Sequence, residues 1–190
     1  MNPLIEQLKA LYAEHGYAWF DEGDYNVNLF AFRAPSREAG EFDDCIGAAW
    51  KENGHWQLRL MPCTTDPGGP LLERPVNPAG AAIVKAGQYR GVFKVGTFKG
   101  YRALLQIRPI TVHRDDNRDD TLDLVPDTQT GHFGIFVHRA QSGTITVKVG
   151  SWSAGCQVLQ SSMDCDELCD IVEAGEQRWG VGTTYTLFEL

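Results

Sequence analysis

The sequence predicts a mainly β protein of the α+β kind, with one helix at the front of the chain and another behind Cys156. Three observations predict it. Short runs of alternating apolar and polar residues recur from Tyr25 onward, punctuated by Gly, Pro and Asn. Apolar residues at helical spacing are confined to two segments, one near each end. A hydrophobic fraction of 43%, with 11% aromatics, is enough for a buried core in 190 residues, and that length fits one domain.

Leu4, Ile5, Leu8, Leu11 and Tyr12 follow Asn2 and Pro3, an N-cap residue and a first-turn proline, so a helix is expected over Pro3 to Glu14, ended by Gly16. Asn26 to Arg33 alternates and reads as a strand. Cys45 to Trp50 and His55 to Met61 flank Asn53-Gly54, the strongest short hairpin signal. Pro62 to Gly80 is rich in Pro and Gly and reads as a long surface connection. Gln88 to Gly96 and Tyr101 to Ile107 read as strands, and His113 to Thr130 as a second polar loop. Phe133 to His138 and Thr144 to Val149 read as neighbouring strands joined by a turn at Gln141-Ser142-Gly143. Asp164 to Val172 is helical in pattern, and Thr184 to Leu190 closes the chain as a strand.

A net charge of −8 argues against a broad nucleic-acid surface, which needs clustered Lys and Arg to displace counterions. No run reaches transmembrane length. Glu6, Lys9 and Glu14 interrupt the segment where a secretory signal would be apolar. The expectation is a monomer made in the cytosol, without membrane insertion. The five cysteines, Cys45, Cys63, Cys156, Cys165 and Cys169, are odd in number and lack metal-finger spacing. Cys165 and Cys169, four apart on the second helix, are read as small buried residues on one face. In "HRDDNRDDTLD", Asp115, Asn117, Asp119 and Asp123 have part of the pattern of a calcium loop. Asp120 and Pro126 stand where such a loop needs Gly and Glu, so a solvated loop is the better reading and no metal or other cofactor is expected.

The chemistry-bearing stretch is "VGSWSAGCQV". His138 is followed by fourteen residues, Arg139 to Trp152, and then by Ser153-Ala154-Gly155-Cys156. This resembles the signature of the L,D-transpeptidase catalytic domain: a histidine, fourteen to seventeen residues, Ser or Thr, usually His, then Gly and the catalytic Cys. The likeness continues through Asp164, Asp166, Glu167, Leu168, Ile171, Val172 and Gly175, similar to that family's acidic helix and glycine. Ala154 stands where the family usually has His, and Val158 where it often has Arg or Asn. Those positions shape the donor and acceptor pockets.

The resemblance implies an L,D-transpeptidase-like β-sandwich or barrel within a single domain over 1–190, its catalytic core at roughly 81–190 and an N-terminal elaboration at roughly 1–80. It implies Cys156 as nucleophile and His138 as base, acting on peptidoglycan stem peptides at an L-to-D bond. Backbone N–H groups around Gly155 and Cys156 would hold the oxyanion, with Ser153 and Gln157 as motif neighbours. The thioester would pass to an amine, as in a transpeptidase, or to water, as in a carboxypeptidase or endopeptidase. An enzyme made without a signal would reach the cell wall by release or delivery, as an endolysin or an injected toxin does.

Further candidates for substrate contact are Trp152, Arg139 (a carboxylate partner beside the base), His132 (six residues before His138, alternating to the same face of a strand), and Lys99 and Tyr101 in a Gly-flanked segment. Packing or a solvated loop explains each of these as well. Two rival functions stand beside the main one: a cysteine peptidase or amidase on another amide, and a cell-wall-binding module without turnover.

Overall fold

In the computed structural model, which describes residues 2–190, Asn2 Oδ1 accepts the Leu4 N–H at 3.1 Å and Pro3 opens α1 (Pro3–Glu14). Ile5, Leu8 and Tyr12 form its buried stripe, packed with Phe30, Ala49 and Phe188 from the strands beneath.

Those strands belong to a closed barrel. Its staves are β1 (Asn28–Arg33), β2 (Asp44–Glu52), β3 (His55–Thr64), β5 (Gly87–Phe98), β6 (Tyr101–Gln106), β9 (Val137–Arg139), β10 (Gln157–Leu159) and β11 (Thr183–Glu189). They run around it in the order β1-β11-β5-β6-β9-β10-β3-β2, closed by the β1–β2 pair. A second, three-stranded sheet joins β4 (Ala81–Val84), β7 (Ile110–Asp115) and β8 (Thr128–Gly131). The architecture is therefore α+β and mainly β. Three barrel staves come from before residue 80 and five from after it.

The β2–β3 hairpin turns at Asn53 and Gly54 with φ of 50° and 76°, the left-handed pair that a two-residue hairpin needs. Helix α3 (Ser162–Trp179) starts where Ser161 Oγ accepts the Asp164 N–H at 3.4 Å and ends at Gly180. Its buried face carries Cys165, Leu168, Cys169, Ile171, Val172 and Gly175 into the main core, which places Cys165 and Cys169 as expected. No helix among the described residues is long and apolar enough to cross a membrane.

Three local expectations are corrected. Thr144 to Val149 does not pair with the His138 strand: β10 occupies that place, parallel to β9, with Gln157 opposite Val137 and Val158 opposite His138. The displaced segment forms an isolated Ile145 to Ser161 bridge, leaves Ile145 and Val147 exposed and buries Val149. The expected surface connection at Pro62 to Gly80 begins inside the molecule. β3 continues to Thr64, residues 63–68 are buried, and a short helix α2 (Gly69–Glu73) follows. The expected loop at His113 to Thr130 gives up both ends to β7 and β8, leaving 116–127 as the connection.

Candidate functional site

The parallel β9–β10 pair is what brings the histidine and the cysteine together. The chain leaves β9 after Arg139, crosses over through residues 140–156 and re-enters beside it. The Gln157 N–H donates to Phe136 O at 2.9 Å, so the ladder extends back to set Cys156 opposite Phe136. Strand alternation then puts Cys156, Phe136 and His138 on one face and Gln157 and Val137 on the other. Strand spacing and rise put the Cys156 and His138 Cα atoms roughly 8 Å apart, a gap that a thiol and an imidazole span between them.

The turn before Cys156 is built by small residues. Ser153, fully buried, donates through Oγ to Cys156 O at 2.8 Å and accepts the Gly155 N–H at 3.2 Å. Gly155 has φ +117°, and a Cβ there would lie 2.2 Å from Ala82 O, so glycine is required on both counts. Gly68, on the same side, donates its N–H to Ser153 O at 2.9 Å. Ser153 therefore braces the loop. Because the Gly155 N–H is committed to Ser153, the main-chain donor left at the thiol is the Cys156 N–H, which has no partner among the described residues. Gln157 points into the barrel, where its Oε1 accepts from Tyr185 Oη at 2.7 Å. It anchors β10 and takes no part at the thiol.

Cys156 Sγ accepts the Phe136 N–H at 3.4 Å and directs its own S–H to Gly134 O at 3.6 Å. No hydrogen bond joins it to His138. Burial pushes the thiol above its ordinary 9.0, opposed by the Phe136 N–H and by the charge of Lys99. His138 is buried, and its Nδ1 lies 2.8 Å from Arg139 O, which can only accept. Nδ1 therefore carries the proton in the neutral ring, leaving Nε2 as the basic nitrogen. Burial, with lesser contributions from Lys99 and Arg139, holds the imidazole below 6.5. The resting pair is a neutral thiol and a neutral imidazole. Such a pair can move a proton from sulfur to nitrogen as a bond to carbon forms, without a preformed thiolate.

The other candidates fall into two groups, those beside His138 and those lining a groove that includes Cys156. Lys99, at the tip of the β5–β6 hairpin, and Tyr101 stand beside His138. Tyr101 Oη is 3.4 Å from His138 Nδ1, and the Phe98 ring centroid is 5.1 Å from the imidazole. The Arg139 guanidinium lies 4.1 Å over the Tyr101 ring and donates to Ala140 O, so Arg139 supports the tyrosine. A groove of about 470 Å³ is lined by Cys156, Ala154, Gly134, Phe133, His132 and Arg114, with Leu71, Val76 and Pro78 also in its wall. His138, Lys99 and Tyr101 do not line it. His132 thus lies in the groove, off the strand that was expected to carry it to the His138 face. Trp152 is 41% exposed and does not line the groove. Sequence reasoning missed Arg114, the Phe136 N–H and the Arg139 carbonyl.

The acidic loop satisfies itself: Asn117 Nδ2 donates to Asp119 and Asp123, and Asp115 Oδ2 accepts the Asp123 N–H at 2.9 Å. Among the described residues no group of three or more His, Cys, Asp or Glu side chains is arranged to hold a metal ion.

Lys99 gives a direct test of the electrostatics. Alkylation of Cys156 by iodoacetamide, followed by mass spectrometry of its peptide, is expected to accelerate with pH past 9 in the native protein. In Lys99→Gln the rise is expected to move to higher pH, because the charge that favours the thiolate is gone. A fast, pH-independent reaction below pH 8 would contradict the neutral pair.

Compared with family models, curated proteins and solved structures, the chain matches none.

Proposed function

We propose that this protein is a cysteine enzyme of the L,D-transpeptidase kind, acting on peptidoglycan stem peptides at an L-to-D bond, with Cys156 as nucleophile and His138 as base. The observation that carries the proposal is the parallel β9–β10 pair, which sets a signature-spaced His138 and Cys156 on one face, with Cys156 also lining a groove. Cys156 Sγ attacks the carbonyl carbon of the L-centre while His138 Nε2 takes the thiol proton. The oxyanion accepts the free Cys156 N–H, and the imidazolium returns its proton to the leaving amine as the C–N bond breaks. The thioester is then resolved by water or by an amine, giving hydrolysis or a new crosslink.

A second reading, a cell-wall-binding module without turnover, draws on the raised Cys156 thiol and its lack of a hydrogen bond to His138. Mass spectrometry of tri-, tetra- and crosslinked muropeptides incubated with the protein and with Cys156→Ala separates the two. Loss of a terminal D-residue or of a crosslink, absent in the variant, is the expected result. It also shows whether water or amine accepts the acyl group. No change in any substrate would remove the peptidoglycan enzyme reading, and cleavage of an all-L peptide alone would move the function to another amide.

A further inference from the structure

Arg114 sits where its strand calls for an apolar side chain. In β7 the row Ile110, Val112, Arg114 alternates to one face, and the first two are fully buried in the main core. Its partner across the ladder is Ala82, part of that same core and the residue whose carbonyl abuts Gly155. The inward row thus ends in a half-buried guanidinium at the wall of the groove that Cys156 also lines.

That guanidinium lies 4.6 Å over the Phe133 ring, another groove residue. Its Nε donates to Gln129 Oε1 at 3.0 Å and Nη1 to Gly80 O at 3.3 Å. Both partners are neutral. Although the chain has 25 acidic residues against 17 Lys and Arg, no carboxylate among the described residues lies within 4.0 Å of Arg114. Arg33, Arg59, Arg102 and Arg178 all have one. Burial makes the Arg114 charge harder to hold, lowering its pKa from the ordinary guanidinium value. A half-buried cation fixed by two neutral acceptors and a ring face, with donors left over, is prepared for an anion from outside the chain.

We propose that Arg114 binds a carboxylate on the acyl portion of the substrate. This rests on the reading of Cys156 as nucleophile and His138 as the acid that protonates the leaving amine. The leaving amine then lies beside His138, which does not line the groove, and the proposal places the acyl portion in the groove that Cys156 and Arg114 both line. Substrate preference follows: an acyl donor with a free carboxylate near the scissile carbonyl is favoured over its amide, and the contact persists in the thioester.

The test uses a synthetic tetrapeptide, L-Ala-γ-D-Glu-diaminopimelate-D-Ala, and forms in which each acyl-side carboxylate is amidated in turn. Wild type is expected to show a KM about 10-fold to 100-fold higher for one of the amides, with kcat nearly unchanged. Arg114→Gln is expected to lose that discrimination and to treat the amide as wild type does. Arg114→Lys is expected to restore part of it. Equal KM for acid and amide forms in wild type, with turnover present, overturns the Arg114 assignment and leaves the enzyme reading standing. Calorimetric titration of the Cys156→Ala protein with the acid peptide covers the case without turnover. Binding that Arg114→Gln abolishes upholds Arg114 and removes the enzyme reading, whereas absence of both binding and turnover overturns both.

Discussion

Replacing His138 by asparagine is expected to lower kcat by about 10²-fold to 10⁴-fold, with KM little changed. The asparagine amide can still donate to Arg139 O as Nδ1 does now, at 2.8 Å, so the variant keeps the local hydrogen bond and loses the nitrogen that moves the proton. The wild-type profile of kcat/KM against pH is expected to have its acid limb below 6.5, because burial and the Lys99 charge disfavour the imidazolium. In the variant that limb is expected to vanish. A second readout is independent of activity. The unfolded chain holds the His138 proton more tightly than the folded one, so acidification through 6.5 favours unfolding and stability falls as pH drops. Denaturant melts of wild type and His138→Asn over this range are expected to show a shallower fall in the variant. Unchanged kcat would remove His138 from the proton path.

How far the sequence carried the site depended on whether a signal was local. Asn53-Gly54 forces a hairpin whatever surrounds it, and the Asn2-Pro3 and Ser161 helix starts are likewise written within a few residues. The Thr144 to Val149 run alternates as well as any strand here, yet the alternation does not say which strand becomes its neighbour. The place beside β9 went to the shorter Gln157–Leu159, whose Gln157 and Leu159 are fully buried, against the exposed Ile145 and Val147. The geometry that joins His138 to Cys156 is therefore a tertiary choice, invisible to periodicity. Arg114 was hidden for a related reason. Read as part of the polar "HRDDNRDD" loop it looked solvated. Only the extension of β7 to Asp115 shows that it continues the Ile110 and Val112 row. The Lys99 and Tyr101 segment was placed near the site by its glycines, but its role is to stand by the base.

Gly155→Ala is expected to be among the most damaging single-methyl additions in the molecule. Its Cβ would meet Ala82 O at 2.2 Å, and that oxygen belongs to the backbone of a paired strand, so neither side can yield without moving β4 or the Cys156 turn. The φ of +117° adds a conformational cost that any L side chain incurs. Overpacking and strain together are expected to destabilise by about 2–5 kcal/mol, a fall in Tm of about 5–15 °C for a chain of this size. Gly143→Ala is the matched control. Its φ of +73° is also left-handed, but nothing lies within 4 Å of the added Cβ, so its cost is expected to be about 1 kcal/mol. Activity separates the two further. The turn fixes the thiol through Ser153 Oγ to Cys156 O, and a shift of about 1 Å in Cys156 is expected to reduce turnover about 100-fold even in the population that remains folded. Equal Tm and equal turnover for the two variants would mean that Gly155 is not what holds Cys156 beside β9.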